Sequence, residues 1–365
     1  MCFDQMTGGQ EIYINNLIAI FNKHGIESDV IQPYNFHNRA VRQNKISQTK
    51  IIYTPNIPKA PPWVKWFVFN LSLRLYKNRL KKYDVLICHY PFHYPPIKWH
   101  KKIIVVSHGI LFNKKLETIF DKYLEKTSRL IFHEPCKIVS NDTNFLRYNH
   151  LEINSEDSVF MEVKSGIWYI PNCIDTNHFI DKQTPRENKI VVVRNIRPDR
   201  GIDLAINAFA LFNRTINSFH LSIIGTMGDV NYYNDCKKLV NKLNLADQVK
   251  FVGHLSQTMI IEEYSTAKIS LVPSLEKEGT SLSALEAMSC GTPVISTNIG
   301  GLADLPTKKT EIDISKMSEK MIEVVNNWEF NSQEQKTRVQ KFNFNNWEEA
   351  WLKVIEATSF RNDKS

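Results

Sequence analysis

No pair among the six cysteines, at 2, 88, 136, 173, 236 and 290, has the spacing of a metal clip or redox motif. This argues against a disulfide scaffold, a zinc site or thiol chemistry, and no metal is expected. The longest apolar stretch, "WVKWFVFNLSL" at 63–73, is too short to span a bilayer and is interrupted by Lys65. The opening "MCFDQMTGGQ" lacks the basic start and apolar core of a secretory signal, so a cytoplasmic location is expected. There is no repeat of solenoid period and no low-complexity tract.

What is present fits a globular protein of two domains. The chain has 365 residues and a formal charge of +8, which favours anionic partners. Short apolar runs recur between helical stretches. The first series is "KIIY" at 50–53, "DVLIC" at 84–88 and "IIVV" at 103–106. The second is "KIVVV" at 189–193, "LSII" at 221–224, "VKFV" at 249–252, "ISLV" at 269–272 and "VIS" at 294–296. Unbroken runs of this length suit strands buried on both faces, and alternation with helices predicts parallel α/β sheets. Two series predict two Rossmann-like domains. The polar stretch "SGIWYIPNCIDTNHFIDKQTPRENK" at 165–189 marks the boundary. The expected division is 1–168 and 169–344. A C-terminal helix over about 345–365, striped by Trp347, Trp351, Leu352 and Ile355, is expected to pack back on the first domain.

The chemistry concentrates in "EKEGTSLSALEAMSCGTPVIS" at 276–296. A strand ends at Pro273–Ser274. A loop carries Glu278 and Gly279, and a helix is predicted to start near Thr280–Ser283 and stop at Cys290–Gly291. One reading is structural, because Ser283 and Glu286 have capping-box spacing. The other is functional. A helix start behind a Gly-Thr-Ser turn offers backbone N–H groups and a positive dipole end to a diphosphate. Two acceptor-only carboxylates, Glu278 and Glu286, would flank it and receive sugar and ribose hydroxyls.

This stretch, with Gly300–Gly301 after it, resembles the signature of the retaining family 4 glycosyltransferases with the GT-B fold. "IPNCIDTNHF" at 170–179, "VRNIRPDRGIDLAINAF" at 193–209, "VVSHG" at 105–109 and Gly8–Gly9 are similar to further motifs of that family. The resemblance implies two Rossmann-like domains facing a central cleft and transfer of a sugar from a nucleotide-sugar donor, UDP- or GDP-linked, with no cofactor. It implies that Glu278 contacts the transferred sugar and Glu286 the ribose. Gly279, Thr280 and Ser281 would present the loop and its amides to the phosphates, and Arg200 would bind the diphosphate. His108 would lie near the reacting carbon, and Gly8 and Gly9 would let backbone approach the donor. The absence of D-x-D speaks against metal-assisted departure of the leaving group.

Some positions depart from the pattern. The family's Gly-Arg pair falls on Arg194–Asn195, so the usual arginine position holds Asn195. The missing charge would then come from Arg194 or Arg197, and Arg194 stands with Asn195 as a donor-binding candidate, although a neighbouring strand residue points to the other face. Asp304 stands where a glutamate is usual. The acceptor is expected to be a saccharide or lipid-linked saccharide of cell-surface polysaccharide or glycolipid synthesis. Two rivals stay open: a nucleotide-sugar epimerase on the same fold, and a non-catalytic sugar-binding or scaffold subunit. The stretch 61–84 mixes aromatics with lysine and arginine, and reads either as a core helix or as a helix on an anionic membrane surface at the inner face. No basic-aromatic motif on a nucleic-acid fold is visible, so no nucleic-acid partner is expected.

Overall fold

A computed structural model describes residues 9–34, 49–112, 115, 117–153, 159–276 and 278–359. The chain divides into two units. The first comprises residues up to 140, 160–170 and 348 onward; the second comprises 141–159 and 171–347. Residues 141–159 therefore group with the second unit rather than with the N-terminal stretch, because Asn141 and Thr143 hydrogen-bond to Thr280 and Asp304.

In the first unit the elements run α1 (Gly9–Lys23), β1 (Asp29–Pro33), β2 (Lys50–Thr54), α2 (Pro62–Leu75), α3 (Lys77–Leu80), β3 (Leu86–His89), β4 (Ile103–Ser107) and α4 (Ile119–Leu130). They continue with β5 (Lys137–Ser140), β6 (Met161–Lys164) and β7 (Ile167–Tyr169). Strands β1 and β2 pair in parallel, and a five-stranded sheet has the order β3-β4-β5-β7-β6. Strand β4, "IIVVS", is buried at every position, as a central strand covered on both faces must be. Only β6 runs antiparallel in this sheet.

The second unit opens with the short helix α5 (Thr143–Tyr148). Then follow β8 (Glu187–Val193), α6 (Ile202–Thr215), β9 (His220–Ile224), α7 (Val230–Lys242), β10 (Val249–Gly253), α8 (Gln257–Thr266), β11 (Ala267–Val272), α9 (Leu282–Ser289), β12 (Val294–Thr297) and β13 (Lys308–Thr310). Helices α10 (Ile314–Asn326) and α11 (Trp328–Val339) complete it. All six strands are parallel, in the order β10-β9-β8-β11-β12-β13. The order reverses direction beside β8, where β9 lies on one side and β11 on the other. This is the topological switch point at which open α/β sheets bind ligands. The core packs α6 and α10 on one face, with Ile206, Phe209, Phe212 and Met321 fully buried against Ile190 and Leu271. The other face holds α9 through Ala284, Leu285 and Met288.

The last helix, α12 (Phe344–Ser359), contributes its residues from Glu348 onward to the first unit. There Trp351 Nε1 donates to the Tyr13 hydroxyl at 3.1 Å, and Lys23 at the end of α1 and His24 just after it both reach the Glu348 carboxylate.

Candidate active site

In the second unit the switch point carries a buried ionic cluster. Arg194 follows the last residue of β8, Val193. Beyond the strand end the alternation of side chains no longer binds it, and it turns inward, 9% exposed. Its Nη2 donates to both oxygens of Glu278, at 2.8 and 2.7 Å, and to Ser274 Oγ at 2.8 Å. Its Nη1 donates to Ser281 Oγ at 3.0 Å and Ser283 Oγ at 3.4 Å. Arg200 donates to the same Glu278 carboxylate through Nη1, and Ser274 Oγ adds a bond at 2.8 Å. Burial alone would raise the Glu278 pKa. The two guanidiniums and the Arg194 and Ser274 hydrogen bonds outweigh it and hold the carboxyl below its ordinary range.

Of the two candidates for the missing charge, it is Arg194 whose guanidinium enters this cluster, because strand alternation ends at Val193; Arg197 pairs with Asp199 instead. Asn195 is exposed and stands outside the cluster, with its Oδ1 accepting from the Thr226 hydroxyl at 2.7 Å.

Local backbone geometry positions both ends of the cluster. Arg200 is followed by Gly201, in the left-handed region at φ 65°, where a Cβ would fall 2.0 Å from the Pro273 carbonyl oxygen. This contact brings the Arg200 turn against the loop after β11. On the opposite side Gly301 packs on Gly279, and a Cβ at Gly301 would fall 2.5 Å from the Gly279 carbonyl carbon. The Gly301 amide donates to the Glu278 carbonyl at 2.6 Å. The Gly300–Gly301 pair is thus the support of the Glu278 loop.

Helix α9 starts at Leu282 with Ser281 as N-cap, and no side chain caps it. The capping box through Ser283 does not form, because Ser283 lies inside the helix. Thr280 departs from expectation. Its amide donates to Asn141 Oδ1 at 2.8 Å and its hydroxyl to the Asn141 carbonyl at 2.6 Å. It anchors Asn141 and is not a free amide for a phosphate. Asp304 is likewise engaged locally, accepting from both the amide and the hydroxyl of Thr143 at the start of α5.

Glu286 lies one turn inside α9. Burial pushes its carboxyl up to about 7, opposed by a hydrogen bond with Tyr264. Burial, reinforced by Glu286, holds the Tyr264 phenol well above its usual value. Glu278 and Glu286 therefore differ in kind: the first is a locked carboxylate, the second a group poised to lose its proton near neutrality.

In the first unit His108 follows β4, and His89 ends the neighbouring β3, in register with Val106. Their rings stack at 14°, with His89 Nδ1 2.9 Å from His108 Nε2. Tyr13 of α1 stands edge-on to both rings, at 5.1 Å from His108 and 6.3 Å from His89. Burial lowers His89 to about 4, and burial with the neighbouring His89 lowers His108 well below its ordinary value. His89 had no partner visible in the sequence, because only the parallel pairing of β3 with β4 creates one. Four residues further on, His93 bonds Asn70 instead, and among the described residues no group of three His, Cys, Asp or Glu could hold a metal ion. Gly9 begins α1, while Gly8 lies outside the described residues.

Two family models match this chain: "Glycosyl transferases group 1" over residues 174–338 and "Glycosyltransferase Family 4" over residues 7–150. One relative is the D-inositol 3-phosphate glycosyltransferase 2 of Catenulispora acidiphila, 44% identical over 66 residues, 18% of this chain and 15% of that protein. Across three curated relatives the match spans only 15% to 51% of their own length. Among solved structures, a sucrose-phosphate synthase from Thermosynechococcus elongatus has a TM-score of 0.76 at 17% identity, covering 96% of this chain and 93% of that one. Anabaena HepE in complex with UDP has a TM-score of 0.72 at 13% identity, covering 96% of each chain. The two matched regions together take in most of the sequence, and the fold is that of these enzymes. This chain belongs to the group 1, family 4 glycosyltransferases of GT-B fold.

Proposed function

We propose that this protein transfers a sugar from a nucleotide-sugar donor to an acceptor hydroxyl, with retention at the anomeric carbon. The observation that carries the reading is the Glu278 carboxylate held by Arg194 and Arg200 beside the uncapped start of α9. A buried and a half-buried guanidinium beside a helix dipole suit a diphosphate. HepE, bound to UDP and glucose in a solved structure, supports a nucleotide-sugar donor by likeness of fold.

In this reading the donor diphosphate takes over the guanidinium hydrogen bonds of Arg200, and Glu278 is released to the sugar hydroxyls. Glu286 accepts from the ribose hydroxyls as a carboxylate. His108, fixed by His89 and Tyr13, approaches the sugar near its reacting carbon as a neutral ring. The bond from the anomeric carbon to the phosphate oxygen breaks, and the acceptor oxygen bonds that carbon on the same face. The acceptor proton passes to the departing phosphate oxygen, and Arg194, Arg200 and the helix-end amides stabilise the nucleoside diphosphate formed. The acceptor class, a saccharide or lipid-linked saccharide, is part of the same proposal.

A non-catalytic scaffold would rest on the asparagine at position 195; the Arg194 guanidinium on Glu278 supports the catalytic reading instead. A thermal-shift screen against nucleotide sugars, followed by product analysis with and without saccharide acceptors, tests the proposal. A stabilising donor that yields a new glycoside with retained configuration supports it. A new epimer formed from donor alone supports the epimerase instead.

A further inference from the structure

Helix α2 presents a row of large apolar side chains outward. Trp63, Phe67, Leu71 and Leu75 are 57%, 66%, 46% and 75% exposed. They recur every fourth residue, so they form one slanting stripe about 120° wide. The opposite face is used by the fold: Trp66 stacks on Phe92 at 4.5 Å, Asn70 donates to the Phe92 carbonyl, and Leu73 is buried. The helix therefore has a complete inward face and a second apolar face that the unit does not consume. Ile119, at the start of α4, is 89% exposed. Its neighbour Phe120 lies 4.9 Å from Trp66, on the inward side of α2. Exposed apolar area of this extent marks an interaction surface.

The charge along the helix and just beyond it is one-signed: between residues 62 and 83 the sequence holds six lysines and arginines and no acid. Exposed Arg74, Lys77, Arg79, Lys81 and Lys82 follow the stripe at its C-terminal end. The whole chain carries only +8, so this region is far more basic than the remainder.

We propose that this face docks on an anionic lipid bilayer, the apolar stripe entering the boundary between headgroups and acyl chains and the basic residues meeting lipid phosphates. A helix of 14 residues is about 21 Å long and can lie in the interface plane along its full length. No helix among the described residues is long and apolar enough to cross a membrane, so the attachment is peripheral. A nucleic acid would use the cations and aromatics but has no place for a row of leucines. A second copy of this chain would bring two basic rows together in an isologous contact, which like-charge repulsion opposes. A bilayer with anionic headgroups satisfies both features at once.

The test is co-sedimentation of the full chain with vesicles of phosphatidylcholine alone and of phosphatidylcholine mixed with phosphatidylglycerol. Binding is expected only to the mixed vesicles, with release at high salt. Trp63→Ser/Phe67→Ser/Leu71→Ser changes only exposed side chains and should abolish binding while leaving the melting temperature unchanged. Lys81→Glu/Lys82→Glu leaves the stripe intact and should weaken binding about 10-fold or more, at roughly 1 kcal/mol per basic residue. Absence of binding to the mixed vesicles, or equal binding by the charge variant and the parent, overturns the proposal. So does self-association in the ultracentrifuge that the triple variant removes without any vesicle binding, which would mark a dimer face. Nucleoside diphosphate binding, measured on the same preparations, separates this proposal from the donor-site reading.

Discussion

Arg194 Nη2 sits 2.8 and 2.7 Å from the two oxygens of Glu278, so one guanidinium nitrogen serves a whole carboxylate. Arg200 shares that carboxylate from a different loop. The pair joins the end of β8 to the loop before α9, the two segments that border the switch point.

Removing Arg194 leaves the Glu278 carboxylate to Arg200 and takes the shared donor from Ser274, Ser281 and Ser283. Arg194→Ala is expected to lower unfolding free energy by about 3 kcal/mol, read by urea denaturation. Arg194→Lys should recover little, since an ammonium cannot serve Glu278 and three serine hydroxyls together. The Glu278 pKa is depressed from its usual 4.5. Its stabilisation is therefore complete above that value and is lost as pH falls through the lowered one. Glu278→Gln should remove this acid-side component.

Glu286 makes a different pH signature. Its carboxyl is raised to about 7 in the free protein. Ribose hydroxyls donate better to the ionised form, so nucleotide affinity should rise as pH increases through 7. Titration calorimetry from pH 6 to 8 measures this, and Glu286→Gln should weaken binding and flatten the slope.

The histidine pair should appear in stability. His89 is depressed to about 4 from an ordinary 6.5. As pH falls from 6.5 the unfolded chain binds this proton and the folded chain does not, so stability declines until the folded value is reached. The loss attributable to His89 alone is on the order of 3 kcal/mol. It should shrink in His89→Asn, measured by denaturation across that range.

Gly301 tests the support of the Glu278 loop. Gly301→Ala places a Cβ against the Gly279 backbone, which cannot retreat as a flexible side chain could. A cost of about 1–3 kcal/mol is expected, together with weaker nucleotide binding. Gly25 has open space around it, and Gly25→Ala should leave nucleotide binding unchanged. It serves as the control for a glycine substitution away from the Glu278 loop.

Much of the fold was legible because buried parallel strands are written as unbroken apolar runs. "KIVVV" and "ISLV" became β8 and β11, and Pro273 and Gly291 bounded the loop and helix around Glu278. The start of α9 at Leu282 and its end near Cys290 follow from local signals alone. The direction of Arg194 was not legible, because strand alternation stops at Val193 and only the fold shows where the backbone turns. The His89–His108 contact depends on which strands pair, and a single sequence does not state that. The use of the Thr280 amide by Asn141 spans 139 residues of chain and has no local mark.

The most direct test is calorimetric titration of UDP and of GDP into the parent protein and into Arg200→Ala. One nucleotide is expected to bind the parent, and the variant to bind it ~10- to 100-fold more weakly, as loss of a charged hydrogen bond implies. No binding of either nucleotide at millimolar concentration by the folded parent, or equal affinity in Arg200→Ala, would contradict a diphosphate site at the Arg194–Glu278–Arg200 cluster.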